Sequence, residues 1–181
     1  DAGFGNSTGA NNTFIGSFTG SANTTASENT FIGADAGTAN TTGSGNNLIG
    51  ASIAPSLTTG NHNQMIGINA GRGLSTGSDN ILFGNSAGFS QDTASRNINI
   101  GTAAGELNVE AGNVFIGYQA GKKNTTGKSN TFIGLQAGDA NTSSSHNTFM
   151  GKETGGANTT GNSNTFLGSE AGKSNTTANE N

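Results

Sequence analysis

The 181-residue chain has no cysteine, no tryptophan, a single proline and only 10% charged residues. Without cysteine it can form neither disulfides nor thiolate metal sites, and the redox compartment stays open. Apolar runs are equally short: Ile81-Leu82-Phe83 and Val114-Phe115-Ile116 are the longest. No segment therefore reads as a membrane-spanning helix or a signal peptide, and no membrane insertion is expected. Seven Lys plus Arg stand against eleven Asp plus Glu, and the largest basic group is Lys122, Lys123 and Lys128. That balance disfavours nucleic-acid binding through counterion release. Hydrophobic residues make up 30% and aromatics 6%, too little to offset the chain entropy of an ordinary two-layer domain. Disorder fits no better, because ten Phe, one Pro and a net charge of -4 are not the composition of a disordered chain. What is present instead is 31 Gly, 27 Asn, 25 Thr and 19 Ser.

These residues are periodic. Asparagine stands at 12, 29, 46, 63, 80, 97, 113, 130, 147, 164 and 181, so every step is 17 residues except the 16 from Asn97 to Asn113. With this Asn as position 0, the unit reads NTFIGxxAGxxNTTGxx. Position 4 is always Gly, and position 8 is Gly in every copy except at Ala54. The start at Asp1 and the end at Asn181 both fall inside a unit, which suggests a longer parent chain. A unit of 17 residues is too short for a helical-hairpin repeat and rich in poor helix formers. It fits one coil of an all-β fold, a parallel β-solenoid or β-roll of about ten coils over residues 1–181, each with two short strands and two turns. The Gly positions mark corners with positive φ, and the position 0 Asn is expected to tolerate the left-handed region and to stack from coil to coil.

Consecutive apolar positions in a strand point to opposite faces. Position 3 is an unbroken file from Ile15 to Leu167, including Ile133 and Met150, and is expected to line the interior. Position 2 would then face outward: Phe14, Phe31, Leu48, Met65, Leu82, Asn99, Phe115, Phe132, Phe149 and Phe166. Its nine apolar members form a stripe larger than a single chain usually exposes, which points to burial against other copies and makes Phe14, Phe31, Leu48, Met65, Leu82, Phe115, Phe132, Phe149 and Phe166 the expected interface of a homotrimer.

Copies such as NTFIGLQAGDANTSSSHNTFMG and NTFIGSFTGSANTTASENTFIG resemble the repeats of bacterial and phage tail-fibre-like proteins, many of which end in an endosialidase-type intramolecular chaperone domain. They are similar, more loosely, to the head repeats of trimeric autotransporter adhesins, from which they depart in using 17 rather than 14 residues and Phe in mid-strand. The resemblance covers the whole chain. It implies three β-rolls side by side in a rigid extracellular rod, on a bacterial surface or a phage-like tail fibre, that meets a host-cell glycan or protein.

Other motifs are absorbed by the repeat. Gly84-Asn85-Ser86-Ala87-Gly88 matches the GxSxG elbow of hydrolases, but the same positions read GADAG, GINAG and GYQAG elsewhere, so Ser86 sits at a freely varying site. His62 and His146 share position 16 five coils apart, and the acidic residues Asp35, Glu153 and Glu170 are scattered along position 6. Neither a triad, nor a paired carboxylate site, nor a metal or cofactor site follows, and the chain is read as non-catalytic. The Asn-x-Ser/Thr matches at Asn23, Asn40, Asn124, Asn158 and Asn175 are corner residues of the unit rather than glycan acceptors.

The Thr pairs, such as Thr24-Thr25 and Thr125-Thr126, give a second reading, an ice-binding face of stacked hydroxyls, although Gln91-Asp92 and Val109-Glu110 interrupt them. Irregular coils cluster between 53 and 112, where Leu57, Leu74 and Phe89 are expected to form a contact patch. The residue lost near Glu106–Gly112 is expected to tighten one corner.

Overall fold

A computed structural model describes all of residues 1–181. It contains ten three-residue strands: β1 (Thr13–Ile15), β2 (Thr30–Ile32), β3 (Asn47–Ile49), β4 (Gln64–Ile66), β5 (Ile81–Phe83), β6 (Ile98–Ile100), β7 (Val114–Ile116), β8 (Thr131–Ile133), β9 (Thr148–Met150) and β10 (Thr165–Leu167). They pair in parallel, each with the next, in a single sheet ordered β1 to β10. The chain is thus an all-β parallel β-solenoid with one strand per coil, where two were expected. At about 4.8 Å per rung, ten rungs give a rod roughly 45–50 Å long. Only 18 of 110 backbone hydrogen bonds lie within strands, so the turns carry most of the coil-to-coil bonding. No helix is long and apolar enough to cross a membrane.

The two apolar files occupy the faces opposite to those expected. The middle residue of each strand points inward: Phe31, Leu48, Met65, Leu82, Phe115, Phe132 and Phe149 are fully buried, and Phe14 and Phe166 in the end coils pack partly buried against them. These nine residues form the core of one chain and are not a seam between chains. A corner follows each strand immediately, so in a segment of three only the central side chain reaches the interior while both neighbours are thrown outward. The Phe rings stack up the axis, with centroids 4.7 Å apart and planes 6° from parallel for Phe132 and Phe149. At ~1.5–3 kcal/mol per buried side chain, this file dominates the apolar stabilisation of the rod.

The bulk of the interior is supplied by two positions acting as a pair, beside the mostly small residues of position 7 (Ala36, Ala70, Ala137, and Ile53 as the large exception). Where position 2 is Phe, position 11 is a buried Asn, as in Phe31 with Asn40 or Phe132 with Asn141. Where position 2 is smaller, position 11 is larger: Leu48 with Leu57, Met65 with Leu74, Leu82 with Gln91, all buried. Close packing explains the exchange, because each coil has a fixed circumference and tolerates neither void nor overlap.

Corners are set by backbone strain relief and by this packing together. At Gly134 φ is 137° and an added Cβ would lie 2.3 Å from the carbonyl oxygen of Gly151 in the next coil. At Gly138 φ is 59° and a Cβ would meet the Phe132 ring at 2.5 Å. Ala54, the one exception at position 8, sits in the coil whose core residue is Leu48 and not Phe. Two further left-handed positions are occupied by other residues, for instance Gln136 (φ 54°) at position 6 and His146 (φ 62°) at position 16. The position 0 Asn does not adopt this conformation.

That Asn instead staples coils. Asn130 Nδ2 donates to Ser144 O (2.8 Å), closing its own coil, while Asn130 Oδ1 accepts from the backbone N–H of Asn147 (3.0 Å) in the next. The same backbone-to-amide bond recurs from Asn29 to Asn181. A second amide file runs at position 11, where Asn141 Nδ2 donates to Asn124 Oδ1 (2.6 Å), and it breaks at Leu57, Leu74 and Gln91.

The 16-residue coil has its shortened turn between Asn108 and Glu110: Asn108 Nδ2 reaches Glu110 O two residues on, where Asn124 reaches Gly127 O three residues on. The tightened coil encloses the smallest core pair, Asn99 and Asn108. Here the apolar core divides into one cluster from Phe31 to Ala87 and another from Ala104 to Phe149. The buried amides of Asn99 and the preceding Gln91 have no hydrogen-bond partner.

Candidate functional site: the outward sheet face and a charged corner

Because position 2 fills the core, positions 1 and 3 face outward along the whole sheet. Position 3 presents ten large apolar side chains, with exposure from 40% at Ile49 to 74% at Leu167 among the most open and Ile32, Phe83, Ile100, Ile116 and Ile133 half-buried against their neighbours. Position 1 is Thr, Asn or Gln at both ends of the sheet, but Ile81, Ile98 and Val114 in β5, β6 and β7. Ile68, Tyr118 and Leu135, just past the Gly corner, are exposed as well. The face measures about 48 Å by 10–12 Å, or roughly 500–600 Å², at the upper end of what single-chain proteins expose.

The expected contact patch does not exist as such. Leu57 and Leu74 are fully buried, because they are the larger partners of Leu48 and Met65 in the interior, and only Phe89, at a corner, is half-buried at the surface. The size exchange between positions 2 and 11 is the signal in the sequence that places both inside.

A second feature lies on the corner formed by positions 6 and 9. A cleft of about 270 Å³ is lined by Gln136, Asp139, Glu153, Gly156, Ala157 and Lys173. It exists because Gly156 occupies a position that carries Lys122, Asp139 and Lys173 in neighbouring coils. Lys173 pairs with Glu153 (2.7 Å) and Glu170 (3.3 Å), and Lys152 with Glu153 (3.1 Å). These lysines hold the Glu153 carboxyl below the usual glutamate range, through hydrogen bonds first and charge second, and Glu153 and Glu170 together raise Lys173. Asp139 forms no ion pair; burial pushes its carboxyl above the usual aspartate range against the opposing pull of Lys123.

An acid with a raised folded-state pKa binds its proton more tightly folded than unfolded. Stability therefore falls as pH rises through the window between the two values. Asp139→Asn, which cannot ionise, is expected to melt modestly above the native chain at pH 7, with the difference vanishing below the ordinary aspartate range. Thermal melts at a series of pH values read this directly, and an unchanged difference across the series would exclude Asp139 as its source.

The Thr pairs divide their roles. The first member spends its hydroxyl on the rod, as Thr125 Oγ1 does on Thr142 O (2.9 Å), and the second faces outward. A single file of free hydroxyls results, broken in the 16-residue coil where Glu110 stands in place of the second threonine. His62 and His146 are both exposed corner residues in distant coils. No three His, Asp or Glu side chains converge to hold a metal ion. No family model, curated protein or solved structure matches the chain.

Proposed function

We propose that this chain is a non-catalytic structural segment of an extracellular fibre, a stiff rod that assembles side by side with two copies of itself and serves in cell-surface adhesion or host recognition. The observation that carries the reading is the continuous outward file from Ile15 to Leu167. The seam belongs to position 3, not to the Phe file. Three such faces turned toward a common axis cover one another, and the ~500–600 Å² each chain contributes approaches the roughly 800 Å² per partner of a standard interface. The ladder-bound coils supply stiffness, and the resemblance of the repeat to tail-fibre-like sequences is what supports the extracellular setting and a host glycan or protein as the fibre's eventual contact.

Light scattering on a size-exclusion column tests this. A mass near three times the 17.9 kDa chain is expected. The variant Ile66→Asp/Ile116→Asp/Ile133→Asp should fall to the monomer mass with its β-sheet circular dichroism unchanged, since all three side chains point out of the coil. A native chain of monomer mass overturns the assembly.

A further inference from the structure

A seam built from a repeat has a register problem. Sliding one chain past another by one coil, about 4.8 Å, brings nearly the same residues back into contact. Position 3 cannot oppose the slide, because it is large and apolar in all ten strands. Position 1 can. Its apolar members Ile81, Ile98 and Val114 lie on three successive strands, with Gln64 on one side and Thr131 on the other. All three are half-buried within one chain and directed to the same face as Phe83, Ile100 and Ile116.

From this we infer that the Ile81–Ile98–Val114 block is the register key of the interface, and that its partner is the same block on a parallel copy of this chain; the inference rests on the side-by-side assembly proposed above. In register, the block meets itself and the face is apolar across both outward ranks for three strands. After a one-coil slip, Ile81 or Val114 lies against the Gln64 amide or Thr131 hydroxyl of its neighbour, and a polar group loses water without gaining a partner. A slipped contact also fails to close: each chain offers its neighbour a different patch, and the assembly grows as an open staggered fibre where zero slip closes a ring of three. The block thus acts against an alternative that the rest of the repeat leaves nearly equal in energy.

The chain has no native cysteine, so disulfide trapping reads the register cleanly. Thr148 and Thr165 are Cα partners on adjacent strands, both outward-facing and clear of the block and its flanks. Chains of two tagged lengths are mixed, each carrying Thr148→Cys, or one carrying Thr148→Cys and the other Thr165→Cys. Mild oxidation should give same-position disulfides at least ten-fold over one-coil-offset ones. In the variant Ile81→Thr/Ile98→Thr/Val114→Thr, which places at position 1 the residue used by flanking strands, the oligomer mass should persist while the two disulfides come within about two-fold of each other. A second variant, Ile81→Thr/Thr131→Ile, moves the block by one strand; carrying Thr165→Cys and mixed with the native chain carrying Thr148→Cys, it should make the one-coil offset the favoured disulfide. Equal disulfide ratios in native and triple-variant chains overturn the inference, as does a triple variant that is folded but monomeric, since the block would then supply affinity and not register. A native chain that is itself monomeric overturns the assembly first, a result the mass reports separately.

Discussion

Phe132→Asp is expected to unfold the rod, not to dissociate it. Phe132 is fully buried between Phe115 and Phe149, with ring centroids at 5.2 and 4.7 Å. An Asp there removes both stacking contacts, leaves a void and places a carboxylate in an apolar column. Phe→Ala at such a site costs about 3–5 kcal/mol, and the buried charge adds to that. The damage is not confined to one coil, because each coil of a solenoid is stabilised by its neighbours and the coils beyond the lesion lose their template. Circular dichroism at 25 °C should show loss of the β-sheet signal, with Phe132→Leu keeping the fold at a lower melting temperature. A Phe132→Asp chain with native signal and melting point but reduced oligomer mass would return the Phe file to the outside.

Removing one staple should destabilise the rod as well, without deleting any apolar contact. Asn130→Leu leaves the buried backbone N–H of Asn147 without its acceptor, while Ser144 O loses one of its two donors and keeps Asn141 Nδ2 (3.2 Å). An unpaired buried group costs ~1–3 kcal/mol, so a loss of about 1–3 kcal/mol is expected in chemical denaturation despite the added apolar side chain. Asn130→Asp should be worse at pH 7 than at pH 4, because it keeps the acceptor but substitutes a buried charge for the donor. If Asn130→Leu were neutral, the amide ladder would be incidental to stability.

The period, the parallel stacking and the Gly corners at positions 4 and 8 were legible in the sequence, because each leaves the same residue at the same step. The assignment of inside and outside was not. Both candidate files are apolar, and periodicity alone treats them alike. Two signals in the same residues separate them. Position 1 shares a face with position 3 and carries Asn47, Gln64 and five threonines, which marks that face as outward. Position 2 changes size in concert with position 11, as Met65 with Leu74 against Phe132 with Asn141, and such compensation arises only between residues that share one enclosed volume. The left-handed corners at positions 6 and 16 escaped notice because residues as different as Asp35, Gln136 and His146 occupy them. The cleft beside Asp139 depends on a single Gly156 and leaves no pattern in the repeat.

The divided core has a mechanical meaning. A rod pulled along its axis carries the load through its coil-to-coil bonds in series, so its strength is that of its weakest rung and not the sum of all rungs. The rung at Asn99 has two unpartnered amides around it, no ring to stack and a shortened turn. Rupture is directed to that layer, where it would leave two still-wound halves, and a fibre that yields there first spares the rest of its length from unravelling.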